Sequence, residues 1–448
     1  MIKKLTKLFE KYGIDGIHKS LHLAISQSFI AFLFILVDYI FSKQLTVSEF
    51  GVWKEIYFFF NLGIPLLAFG IPEGYKYFIA KEQQLDYYFK NLLSLLLLVS
   101  IGTFLLLVVL NFFHWIGTID LGHFYLYSLL FPLPLLSFLL NKILRYTFIN
   151  INKAEELTKL SLLGALGSLV IILIGAYFIK DHQNLVSLIA VCIYFSIFFF
   201  PAIFYLKELP QIKIKFGINR LAFKNILVYG FPLYLGTFAG ILSNYLDKLI
   251  VNVLEDEVTF AIFAVGAFEI PIFAMMSAAF SQQIFPNMVS YVESNQIEKA
   301  NKLWLKTTKK VSLITYPVIL VTMFFAEEII FLIYNENYEG SVILLKTYLL
   351  VALFRNNSYG ILLTTKGETK MITKFAFGML AVNLLASISL FYYFGLTGIV
   401  FGTLISTVFY VIIVLLKEHI FIDYLKYVVF SKKILVLTIL ILITYFFS

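Results

Sequence analysis

Apolar residues recur along this chain in blocks of about 20, separated by short polar stretches, and no block shows the two-residue alternation of a half-buried strand. At ~1.5 Å of rise per residue, a block of this length crosses a ~30 Å hydrocarbon layer as one helix. The pattern predicts spans near 20 to 42, 51 to 80, 90 to 111, 122 to 148, 158 to 179 and 184 to 206, then 221 to 253, 258 to 290, 309 to 333, 341 to 365, 371 to 394 and 396 to 418. A last stretch of 15 residues, Ile434 to Ser448, reads either as a short thirteenth span or as an interfacial tail.

Composition agrees with this reading. Of the 448 residues 60% are apolar and 14% charged, which leaves too little polar surface to cover a water-soluble globule. The fold class expected is an all-α polytopic membrane protein with about 12 transmembrane helices. The charged start, Met1 to Lys19, carries no cleavage site after a short apolar run, so no removable signal peptide is expected and the first helix serves as the insertion signal.

The basic residues orient the chain. Of the 35 Lys and Arg, 29 fall at the N-terminus and in every second loop after it, 4 fall in the intervening loops, and Lys346 and Arg355 lie within one span. That asymmetry predicts a cytoplasmic N-terminus and an even number of main spans. Basic residues spread over seven short segments match lipid headgroups and argue against nucleic-acid contact.

Sliding the sequence on itself exposes a repeat. Phe29 to Leu45 falls on Phe238 to Leu254 at an offset of 209, which pairs Leu33 with Leu242, Asp38 with Asp247 and Leu45 with Leu254. At an offset of 213 the turn Asn152 to Glu156 lies opposite Thr365 to Thr369, and Lys142 falls on Arg355. Two six-helix lobes inserted in the same sense are therefore expected, residues 1–210 and 211–420, with 421–448 as a tail or extra helix. The natural boundary is the longest basic loop, Lys207 to Lys224.

An ionisable side chain near the middle of a bilayer costs at least ~2.5–3.5 kcal/mol on insertion scales, so it is expected to face a bundle interior or a watery cavity. Arg355, mid-span between Leu353 and Tyr359, is the first candidate for contact with an anionic substrate, because a planar guanidinium matches a pair of phosphate oxygens. Its alternative is a structural ion pair with Glu269 or Asp247. Lys142 and Arg145, three residues apart on one helix face, point to the same central region, or else snorkel to headgroups; Lys346 completes the cationic set. Asp38, Asp247 and the adjacent Lys248 fall near outer helix ends, where they gate the mouth, bind a coupling cation or are plainly solvated. Glu269 lies deeper, beside Pro271, and is a candidate for proton or cation coupling. Glu73 and Lys76 are expected to pair along one turn. Prolines cluster in the second span of each half, Pro65 and Pro72 in one, Pro271 and Pro286 in the other, as hinges or static kinks.

Other chemistries lack a motif. No Gly-rich loop ending in Lys-Ser or Lys-Thr supports ATP hydrolysis. The single cysteine, Cys192, sits in an apolar helix, and His114, Asp120 and His123 share a loop that reads as wet surface more readily than as a metal site. No cofactor, metal or nucleophile–base pair is expected, and hence no enzyme.

Three stretches complete the reading: LTVSEFGVWKEI (Leu45 to Ile56), GIPEGYKYFIAKE (Gly70 to Glu82) and LVYGFPLYLGTFAGILSNYLDKLIVN (Leu227 to Asn252). In the last, a proline stands near the start of helix seven and an Asp-Lys pair near its outer end. With the twelve-span plan they make the whole chain resemble the polysaccharide-exporting branch of the multidrug, oligosaccharidyl-lipid and polysaccharide exporter superfamily, the Wzx-type O-antigen flippases. The resemblance implies a V-shaped two-lobe fold with a cationic cavity. It further implies movement of an undecaprenyl-pyrophosphate-linked oligosaccharide from the cytoplasmic to the periplasmic leaflet of a bacterial inner membrane. Membrane lipids, and polymerase or chain-length proteins of the same pathway, are the partners it suggests. Lipid II flippases of the superfamily typically have fourteen spans, so twelve favours the sugar-polymer branch. Two other readings stay open: a multidrug cation exporter, in which the acidic residues would bind substrate, and a membrane-embedded glycosyltransferase or polymerase, against which the small outer loop near Asn111 to Phe124 counts.

Overall fold

A computed structural model describes residues 17–82, 84–112, 130–151, 153–181, 185–209, 217–268, 270–355 and 357–447, and all regular structure among them is helical. The first crossing, α1 (Ile17–Gln44), ends where Thr46 starts α2 (Val47–Leu67). The Thr46 hydroxyl accepts the Glu49 N–H at 3.3 Å, and the Glu49 carboxylate accepts the Thr46 N–H at 2.9 Å. This reciprocal cap satisfies two donors that a helix start would otherwise strand. Helix α3 (Ile71–Glu82) continues α2 after a 53° bend. The first half is completed by α4 (Leu85–Phe112), α5 (Pro132–Asn150), α6 (Ala154–Asp181) and α7 (Val186–Lys207). Pro132 opens α5, where a missing N–H leaves no bond unmade.

The second half begins with α8 (Arg220–Leu254), followed by α9 (Glu257–Gly266) and α10 (Pro271–Glu293), which together make one crossing. Helices α11 (Ile297–Phe324) and α12 (Ala326–Ile333) are one span bent by 70°. The next crossing is α13 (Gly340–Arg355) with the short α14 (Ile361–Thr365). The long helix Thr369–Lys417 is interrupted at Gly395, where φ is 58°, and so divides into α15 (369–394) and α16 (396–417). Twelve helical crossings can be followed through the described residues, in accord with the sequence pattern. Four stretches are long and apolar throughout: Leu85–Val109, Ala154–Lys180, Val186–Lys207 and Lys370–Lys417. The chain is a multi-pass membrane protein.

After a short helix, α17 (Phe421–Tyr424), a 78° bend leads into α18 (Lys432–Phe447). Helix α18 packs on α11, and its Tyr445 hydroxyl meets that of Thr347 at 3.1 Å. The segment left open between span and tail is thus a 16-residue helix packed within the second half.

By packing, the chain divides into two units, Met1–Phe238 and Ala239–Ser448. The division falls inside α8, beyond the basic loop Lys207 to Lys224. In the first unit, the start of α8 lies against the α2–α3 bend. A Cβ on Gly70 would overlap the Gly230 carbonyl, and Gly70 holds φ 73°, so glycine is needed at this crossing for both space and conformation.

Candidate functional site

In the first unit, two pairs of charged side chains within the spans are matched with one another. Asp38, on α1, is buried; it accepts the Trp53 indole N–H at 2.8 Å and holds the Lys54 ammonium at 2.5 Å. The α2 cap sets that register by bringing residues 53 and 54 back along α1. Lys54 also sits 5.3 Å from the Phe50 ring centre, a cation–π contact. Asp38 is therefore not the water-facing helix end that its position suggested.

Lys142 on α5 bonds Glu73 on α3 at 2.9 Å, and both side chains are about one-third exposed, at 35% and 34%. The two helices run in parallel register. The Tyr75 hydroxyl meets Thr147 at 2.8 Å, and Asn150 reaches the Ile79 carbonyl at 3.4 Å. This alignment brings residue 73 level with 142, so Glu73 does not pair with Lys76, whose ammonium lies 5.3 Å from the Tyr146 ring instead. Arg145 turns the other way. It is buried beside the hydroxyl of Tyr205 on α7, which in turn meets Ser161 at 2.6 Å. The three-residue spacing of Lys142 and Arg145 thus serves two different neighbours, and Arg145 does not reach for headgroups.

The proline positions also resolve. Pro65 and Pro72 flank the α2–α3 bend, and the Leu66 carbonyl freed there accepts the Tyr234 hydroxyl at 2.7 Å. A stack of Tyr77 on Tyr229, with centroids 3.8 Å apart, joins α3 to the same helix, so α8 packs along the bent crossing. Pro271 is the first residue of α10, and α10 runs on continuously through Pro286. Glu269 lies outside the described residues.

The second unit is arranged differently. Asp247, on α8, is 2% exposed and accepts a short hydrogen bond from the Tyr348 hydroxyl of α13, with the Lys248 N–H at 2.7 Å. It too is buried rather than solvated. The Lys248 ammonium lies 5.6 Å from the Tyr245 ring. Lys346 is buried on α13 between Leu345 and Thr347 and has no ion-pair partner among the described residues.

Arg355 is the last residue of α13 and borders a cavity of about 490 Å³. A cation at a helix C-terminus faces the negative end of the helix dipole, which favours it there. The other walls include Asn244, Phe273, Tyr348, Asn357, Tyr359 and Tyr410. The backbone break after Arg355 is held by aromatic donors: the Tyr316 hydroxyl bonds the Leu353 carbonyl at 3.4 Å, and the Trp304 indole bonds the Ser358 carbonyl at 3.2 Å. Tyr359 and Tyr424 share a hydroxyl contact at 3.0 Å. The Asn357 side-chain oxygen is buried with no hydrogen-bond partner among the described residues, although its amide reaches Ser312 at 3.5 Å.

This cavity combines a cation at a helix end with aromatic faces and tyrosine hydroxyls. Of the four predicted cations, only Arg355 lines it. Tyr348, Asn357, Tyr359 and Tyr410 were not singled out in the sequence. Their signal is the spacing of Tyr348, Arg355 and Tyr359, one or two turns apart on one side of a broken helix.

A membrane-embedded helical bundle with a cavity inside one unit defines the class by its fold, and solved structures share that fold. The chain resembles the inward-facing conformation of a multidrug resistance MATE family transporter of the MOP superfamily with a TM-score of 0.70, at 16% identity over 90% of this chain and 98% of that one. It resembles the lipid II flippase MurJ, in an inward closed conformation, with a TM-score of 0.66, at 16% identity over 94% and 96%. A MATE structure in the straight conformation matches with a TM-score of 0.58. No curated protein matches the chain. The family model described as polysaccharide biosynthesis protein matches residues 40–343, and the chain belongs to that family.

Proposed function

We propose that this protein is a flippase that moves an undecaprenyl-pyrophosphate-linked oligosaccharide from the cytoplasmic to the periplasmic leaflet by alternating access, for synthesis of O-antigen, capsule or another surface polysaccharide. The observation that carries the proposal is Arg355, set at a helix end in the wall of a cavity of about 490 Å³. A guanidinium supplies parallel donors to a diphosphate, and two such charge-assisted bonds offset part of its desolvation. Tyrosine faces stack on sugar rings, and the tyrosine hydroxyls in the cavity wall suit sugar hydroxyls. Family membership and likeness to a lipid II flippase support a lipid-linked glycan as cargo. The basic loops support a cytoplasmic N-terminus in a bacterial inner membrane.

In this reading Arg355 binds the diphosphate. Lys142, already held by Glu73, and the buried Arg145 keep the first unit in shape, and Asp247 orients the cavity tyrosine Tyr348. The test is lipid extraction from cells lacking the gene, complemented with wild type or with Arg355→Ala. Accumulation of a cytoplasm-facing diphosphate-linked oligosaccharide in the variant, at equal membrane abundance, supports the proposal; normal export overturns it. The likeness to a multidrug transporter supports a second reading, a lipophilic-cation exporter, which predicts drug sensitivity on deletion and no lipid accumulation.

A further inference from the structure

Helix α16 ends at Lys417, and the residue after it, Glu418, is an acid almost without access to water, with 3% of its surface exposed. One carboxylate oxygen, Oε1, accepts the Leu363 N–H of α14 at 3.2 Å. The other, Oε2, is buried with no hydrogen-bond partner among the described residues. Taking a carboxylate out of water without filling both oxygens favours its protonated form.

The groups around it only partly counter this. Lys366, in the turn after α14, favours the ionised form, and Glu368 in the same turn opposes it. Lys417 is turned to Glu368, at 3.7 Å. Tyr410 faces Glu418 from α16, His419 follows it with φ 58°, and Asp423 lies on α17. Burial is the largest influence and pushes the Glu418 carboxyl up to about 7.

What Glu418 holds is a short helix bounded by two glycines. Helix α14 has five residues and lies between Gly360, φ 83°, and Gly367, φ 74°, two backbone positions that glycine enters without strain. Immediately before Gly360 stands Tyr359, a wall of the cavity; Tyr410 borders the same cavity. A charged acceptor makes a bond roughly twice as strong as a neutral one.

We propose that Glu418 is an exchangeable proton site that latches α14. Ionised, its carboxylate holds the Leu363 N–H and fixes the wall at Tyr359. When it takes a proton from solvent, an O–H bond forms on the carboxyl, the grip on Leu363 weakens, and α14 is free to swing between its two glycines. The latch rests on the packing of α14 against Glu418 and not on the identity of the cargo.

The test uses the full-length protein in lipid nanodiscs. Infrared titration reads the protonated carboxyl, and hydrogen exchange reads residues 361–365. A carboxyl band titrating near pH 7 is expected in the wild type, absent in Glu418→Gln. Exchange in α14, corrected for its intrinsic pH dependence, rises severalfold from about pH 8 to about pH 6 in the wild type and is high throughout in the variant. Lys366→Gln shifts the midpoint up and Glu368→Gln shifts it down. Should Glu418→Gln fail to fold, those two opposite shifts carry the test. A band that survives Glu418→Gln, midpoints unmoved by both neighbours, or exchange in α14 indifferent to pH would each overturn the latch.

Discussion

The two compact units carry related charges and use them in different ways. In the first, Asp38 is closed by Lys54 and Trp53, and Lys142 by Glu73. In the second, the repeat places Phe263 and Ile262 where Lys54 and Trp53 would stand, and Asp247 is held by a neutral hydroxyl from Tyr348. At the offset that joins Lys142 to Arg355, Glu73 falls on Pro286. The first unit therefore pairs its charges, once in the interior and once at a partly exposed site. The second has exchanged them for hydroxyls and amides around a cavity, with the cation at the end of a broken helix. If Arg355 binds the cargo as proposed, a duplicated architecture divides its labour: one half pairs its charges, the other presents one at a cavity wall.

The comparison is broken most forcefully at Lys54. Lys54→Met leaves the Asp38 carboxylate buried and uncompensated, and should cost about 3–5 kcal/mol, read as a large loss of thermal stability in detergent. Adding Asp38→Asn should restore most of it. Next comes Gly230→Ala, which drives a methyl into the Gly70 carbonyl at the α2–α3 bend and should cost roughly 1–3 kcal/mol in the same assay. Tyr348→Phe strips Asp247 of its side-chain donor and should cost about 1–3 kcal/mol. Because Tyr348 also lines the cavity, transport should fall further than stability does. The smallest effect belongs to Glu73→Gln, whose pair with Lys142, about one-third exposed, should be worth ~0.2–1 kcal/mol and weaken further in salt. An effect of Glu73→Gln as large as that of Lys54→Met would erase the distinction between buried brace and surface pair.

The spans were legible because twenty apolar residues in a row admit one solution in a bilayer. Even the break at Gly395 lies in the one-residue gap between the expected spans 371–394 and 396–418. The bend between Pro65 and Pro72 could be read as well, since proline and glycine mark it directly. The partners of the charges could not. Glu73 reaches Lys142, 69 residues away, rather than Lys76 one turn along, because the α3–α5 register decides the pairing. Lys54 went unremarked as the partner of Asp38 because the turn at Thr46 sets which residues of α2 come back level with α1, and that register is a matter of packing. The cavity residues Tyr348, Tyr359 and Tyr410 give no signal of their own in the sequence, since tyrosine serves both membrane interfaces and binding sites and only packing separates the two uses. The 70° bend between α11 and α12 likewise has no proline at Phe325 to announce it.

The central claim is that the cation of the second unit meets the lipid-linked diphosphate while the cation at the matching place in the first does not. Leaflet-resolved extraction of the diphosphate-linked oligosaccharide from cells carrying Arg355→Ala or Lys142→Ala, at equal membrane abundance, measures this directly. The account predicts that the intermediate accumulates on the cytoplasmic side at least ~10-fold with Arg355→Ala, the loss of one charge-assisted contact, and stays near the wild-type level with Lys142→Ala. Wild-type transport in Arg355→Ala, or equal accumulation in both variants, would contradict it.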